Sequence, residues 1–185
     1  NYFKDGKWTD DGYQIGDDIF RIHKHDGKDS ISSDDELFTE YETSSLLTEL
    51  PKNADLKAFF PPIKNQKNQG ACSSFSLTAA FEYLLSNEMS KVEDMSEAYV
   101  YYNGRAVSGK TDVDDGANLY DVIKGMADKG VCIEELCKYN PSVYDEEPSP
   151  EAYADGKNRV VTSAKRVPVD VNTIKAVLSD GYPVV

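Results

Sequence analysis

Cys72 sits between a polar turn, KNQKNQG at residues 64–70, and an apolar run, SFSLTAAFEYLL at residues 74–85. A thiolate is the nucleophilic form of cysteine, and the first turn of a helix favours it. That turn carries free backbone amides and roughly half a positive charge. The same amides can hold a developing oxyanion. Gly70 and Ala71 keep the approach to Cys72 narrow in side chain, so a substrate carbonyl could reach the sulfur. Upstream, Gln66 and Gln69 each offer a side-chain amide donor. Together these residue types suit acyl transfer through a thioester. A small buried core thiol at a helix start fits the same local pattern, so residue types alone leave both readings open.

For Cys72 to be positioned, the apolar run must be a helix. Phe75, Leu77, Ala79, Ala80, Phe81, Leu84 and Leu85 cover most of a helical circumference, which predicts a buried helix from Cys72 to about residue 87. Pro61 and Pro62 keep the preceding segment extended. Ser96 caps a short predicted helix, EAYVYYN. A third helix is expected to start near Ala117, with Leu119, Tyr120, Ile123, Met126 and Ala127 on its apolar face and Gly130 as its stop. PSPEAYADG reads as a helical turn, and RVVTSAKRVPV as a strand. DVNTIKAVLSDG reads as a small helix capped by Asp170 or Asn172, and YPVV as the start of a strand. Helices first and strands last indicate an α+β domain with two subdomains rather than a doubly wound sheet.

Residues 1–49 form a separate, acidic, turn-rich extension to the domain at 50–185. The turns DDG at 10–12 and HDG at 25–27 flank the strand-like YQIGDDIFRIHK, which predicts a hairpin. Ser33 and Glu36 make a capping box with Asp34 and Asp35 between them. That predicts a helix of roughly 12 residues with Leu37 and Tyr41 on one face.

The net charge of −13 leaves no basic stripe for nucleic acid or an anionic membrane surface. No apolar run approaches the roughly 20 residues of a membrane span. Three cysteines are too few for a disulfide scaffold. Cys132 and Cys137 are expected as two buried thiols rather than a bridge.

Gln66, Gly70, Ala71 and Cys72 match Q-x-x-x-G-[SA]-C, and Phe75, Ser76 and Glu82 continue the match. The stretch resembles the nucleophile segment of papain-family cysteine peptidases. LPKNADLKAFFPPIKNQ resembles the mature N-terminal strand of that family, MSEAYVYYNGR its second helix, and DDGANLYDVIKGMADKGV its glycine-bearing loop and third helix. PSPEAYADGK and IKAVLSDGYPVV are similar to segments of bacterial members. The resemblance implies a papain-like two-subdomain fold: a helical left subdomain around the nucleophile helix, plus the start of a β-rich right subdomain. It implies a secreted, bacterial-type cysteine endopeptidase acting on proteins or peptides, with no cofactor and no metal. Cys72 would be the nucleophile, with its own N–H and Gln66 forming the oxyanion hole. Gln69 then falls where many members carry a disulfide cysteine, and Ser73 where an aromatic residue is usual. Gly70, Gly116 and Ala117 would border the substrate backbone. Asn118 and Leu119 would border the pocket for the residue two before the cut. Residues 1–49 would be a compact pro-segment that covers the cleft.

The base is missing from this arrangement. In papain-like enzymes a histidine and its orienting asparagine lie about 130–150 residues after the cysteine. No histidine follows Cys72; His23 and His25 both precede the domain. The catalytic histidine and asparagine are therefore expected beyond Val185 or on a second chain. The rival expectation is a catalytically inactive papain-like binding protein.

Overall fold

Local capping chemistry sets most of the helices in this computed structural model, which describes residues 7–9, 12–15, 18–20, 36–42, 50–89 and 93–185. Helix α1 runs Cys72–Met89, and its first intrahelical bond joins the Phe75 N–H to the Ala71 carbonyl at 3.0 Å. Helix α2, Glu97–Val107, starts where the Ser96 hydroxyl accepts the Tyr99 N–H. Helix α3, Leu119–Asp128, starts where the Asn118 side chain accepts the Asp121 N–H. Ser149 caps α4, Pro150–Gly156, and Asp170 caps α5, Val171–Ser179, accepting from both Asn172 and Thr173. Each cap satisfies amides that the first helical turn cannot. Gly130, with φ +77°, turns the chain out of α3.

The core lies where α2 and α3 meet. Met95, Tyr99, Val100, Val122, Met126, Val131, Cys132 and Ala152 are its buried members. Gly104 of α2 faces Val122, and Gly125 faces the Asn103 backbone, so the two helices approach closely. Leu77, Phe81 and Leu85 of α1 pack against this core only half-buried. The fully buried residues of α1 are small or polar instead: Ser73, Ser74, Thr78, Glu82 and Tyr83. The sequence expectation of an all-round buried apolar helix is thus corrected. One side of α1 meets α2 and α3 through small side chains, while Leu84 on the other side is exposed.

Two sheets form. Strands β1 (Lys7–Thr9), β2 (Gly12–Ile15) and β3 (Asp18–Phe20) make an antiparallel meander in that order. Strand β4 (Phe38–Glu40) pairs in parallel with β5 (Ala164–Arg166), Phe38 opposite Ala164. Residues 38–40 were expected to be helical, and the ladder explains the difference. Pairing with β5, the Tyr41 N–H bond to the Arg166 carbonyl and the stacking of Phe38 on Tyr120 at 4.7 Å outweigh a local capping signal. The capping residue Ser33 lies outside the described residues. Residues 182–185, expected to begin a strand, have no ladder partner among the described residues.

Candidate active site

Cys72 is the first residue of α1 and is partly exposed at the edge of a cleft of about 810 Å³. The apolar side chains from Phe60 to Ile63, with Phe75 and Ala79, line this cleft, and Glu82 and Glu97 are among its walls. The turn before Cys72 is tightly held. Lys67 adopts φ 55°, and its N–H donates to the Asn65 side chain at 2.8 Å. The Gln66 amide Nε2 donates to the Gln69 carbonyl at 2.9 Å, which uses one of its two N–H groups. Tyr139 fixes Gln66 from the other side: its hydroxyl donates to the Gln66 carbonyl at 2.7 Å. The Tyr139 ring meets Phe75 edge-on at 4.9 Å.

The two predicted halves of the substrate strip come together beside this turn. The Gly70 N–H donates to Asp114 Oδ1 at 2.9 Å. The Ser73 hydroxyl donates to the Ala117 carbonyl at 2.7 Å. Gly116 takes φ +80°, a conformation that suits glycine, and its N–H donates to the Tyr101 hydroxyl at 3.2 Å. Asn118 is occupied as the cap of α3, and its Nδ2 also donates to Asp121 at 2.8 Å. Leu119 lines a second, larger groove of about 1420 Å³ shared by α1, α3, β4 and β5. Gln69 is buried, so it is not a second surface-facing donor. His23 and His25 lie outside the described residues.

Beneath Cys72, one ammonium serves three carboxylates. Lys64 Nζ lies 3.2 Å from Glu82, 2.5 Å from Asp94 and 2.7 Å from Glu97, and donates to the Met95 carbonyl. Glu82 also accepts the Met95 N–H at 2.7 Å. Burial pushes the Glu97 carboxyl up to about 7, against the opposing pull of Lys64. Burial raises Glu82 in the same way. Burial would lower Lys64, but its bonds to Asp94 and Glu97 prevail and raise it. This cluster ties the extended segment before the turn to α1 and to the start of α2.

Cys132 and Cys137 are free, as expected. Burial raises the thiol of Cys132 to about 12 and also raises Cys137, so neither favours the thiolate. Sequence reasoning missed Tyr139, Asp114, Tyr101 and the Lys64 cluster. Only Tyr101 and Arg105, spaced i and i+4 in YYNGR, carried a local signal.

The fold is papain-like, and the chain's neighbours in sequence and structure are papain-like cysteine peptidases. Xylellain, a cysteine protease from Xylella fastidiosa, superposes with a TM-score of 0.70 at 28% identity, covering 77% of this chain and 58% of that one. An uncharacterized peptidase C1-like protein of Acanthamoeba polyphaga mimivirus is 28% identical over 65% of this chain and 42% of its own length. Human cathepsin L2 is 32% identical over 52% of this chain and 32% of its own length. No protein-family model matches the chain. The chain spans less than half the length of these two curated relatives.

Proposed function

We propose that this chain carries the nucleophile half of a papain-like cysteine peptidase, with Cys72 as the attacking group. The observation that carries the reading is the placement of Cys72 at the first position of α1, partly exposed at a cleft, beside the Gly116–Ala117 strip. The relatives named above support it. The Cys72 thiolate attacks the scissile carbonyl carbon, and the carbonyl electrons move onto oxygen. The Cys72 N–H and the second N–H of Gln66 stabilise that oxyanion. Collapse expels the amine, which takes up a proton, and leaves a thioester. Water then hydrolyses the thioester and regenerates the thiol. Gly116 and Ala117 pair with the substrate backbone, while Asn118 and Leu119 border the pocket for the residue two before the cut.

No histidine follows Cys72. The reading therefore assigns no base and no orienting asparagine among these residues. Residues 1–49 act as a pro-segment. Support for this comes from the acidic, turn-rich composition of residues 1–49 and their place ahead of the domain. Activity on a peptide substrate, with and without residues 1–49, tests that role; equal rates refute it. The reading as a whole is tested by supplying a synthetic or co-expressed histidine-bearing half and assaying peptide hydrolysis. Hydrolysis lost in Cys72→Ala supports it. Peptide binding without turnover in every combination favours the inactive binding protein.

A further inference from the structure

We infer that Asp114 is a positioning residue for the reaction at Cys72, tying the Gly70 turn to the Gly116–Ala117 strip. The inference rests on the peptidase reading of Cys72. Asp114 Oδ1 accepts two hydrogen bonds, from the Gly70 N–H at 2.9 Å and from the Tyr101 hydroxyl at 2.5 Å. The same hydroxyl accepts the Gly116 N–H. One carboxylate and one phenol thus connect the backbone two residues before the nucleophile to the backbone of the strip. Bonds to a charged acceptor are among the stronger hydrogen bonds.

Asp114 is itself braced. Tyr101 is 1% exposed and Arg105, one turn later on α2, is 0% exposed. The Arg105 guanidinium lies 4.2 Å from the Tyr101 ring centroid. It donates to the carbonyls of Thr111 at 2.9 Å and Val113 at 2.8 Å, and also to that of Tyr144. The loop leading into Asp114 is therefore clamped to α2 by a buried cation, and Tyr101 holds the carboxylate from the same helix. A noncovalent link through one carboxylate oxygen thus joins the Gly70 turn to the strip. The geometry assigns Asp114 to that link.

The test compares Asp114→Ala with Asp114→Asn in the full chain supplied with the histidine-bearing half, because asparagine keeps the oxygen that accepts the Gly70 N–H. Two rates of Cys72 modification are measured. A peptidyl epoxide must pair with the strip, whereas iodoacetamide needs only the thiolate. Asp114→Ala is expected to lower the peptidyl-to-iodoacetamide rate ratio about tenfold, and Asp114→Asn to stay within about twofold of the native chain. An unchanged ratio in Asp114→Ala overturns the inference, as does an asparagine variant as poor as the alanine variant. Amide hydrogen exchange supplies a readout independent of the peptidase reading. In Asp114→Ala, exchange at Gly70 and Gly116 should rise at least about tenfold while Val122 in α3 stays protected. If the native chain, supplied with the histidine-bearing half, shows no preference for the peptidyl epoxide, the peptidase reading fails, and unchanged Gly70 exchange would separately overturn the link.

Discussion

Replacing Glu97 with glutamine should flatten the pH dependence of stability. Glu97 is 2% exposed and is one of three carboxylates around Lys64. Glu82 faces it from α1, Asp94 shares its lysine from the turn before α2, and Tyr139 faces it from the loop beyond α3. Asp94 is exposed, but Glu82 and Glu97 are both buried and share the one ammonium, and burial favours the neutral form of Glu97. Its carboxyl is held at about 7 when folded, against an ordinary value of 4.5. Between those two pH values the unfolded chain releases the Glu97 proton and the folded chain keeps it. The Glu97 contribution is therefore fully present below pH 4.5 and is lost as pH rises through 7. Its size, from the separation of the two values, is about 3 kcal/mol. Glu82 shifts in the same direction and adds to the slope. The assay is urea unfolding followed by tyrosine and tryptophan fluorescence at a series of pH values from 4.5 to 8. The native chain should lose about 3 kcal/mol over that range relative to Glu97→Gln. Parallel curves for the two proteins, or a native chain that gains stability relative to the variant as pH rises, would refute the reasoning.

Three further outcomes follow from single contacts. Gly130→Ala places a Cβ 1.8 Å from the Gly156 carbonyl oxygen at a φ of +77°, so urea unfolding should show a loss of about 3 kcal/mol. Ser96→Ala removes the α2 cap and the bond to the Cys137 carbonyl, which should cost about 1–2 kcal/mol in the same assay. Gln66→Ala should lower kcat on a peptide substrate by about 10²-fold in the histidine-completed enzyme, since one oxyanion donor is lost. An activity change under twofold would remove Gln66 from that role.

What was legible in the sequence was what local chemistry decides. Ser96 and Asp170 each cap the helix that follows, and those bonds span only two or three residues. The Gln66-to-Cys72 motif placed Cys72 correctly at the start of α1. What was not legible depends on partners far along the chain. Residues 38–40 carry a helix-start signal just upstream, yet the strand is made by a partner at 164–166. Asp114 looks like one acid among many in TDVDDG, and only folding brings it to Gly70. Glu82 matched a family position, but its shared lysine and the elevated Glu97 appear only once α1, α2 and the segment before the turn converge. Ser74, Thr78 and Glu82 recur every four residues, but polar side chains on that face do not read as a core stripe.

The central claim is that Cys72 alone among the three thiols is placed to attack a peptide carbonyl. Incubation of the full chain, supplied with the histidine-bearing half, with a peptidyl epoxide, followed by intact mass measurement and peptide mapping, tests it most directly. The account predicts a single adduct on Cys72, absent from Cys72→Ala, with Cys132 and Cys137 unmodified. An adduct on Cys137, or a Cys72 that reacts no faster than Cys137, would contradict it.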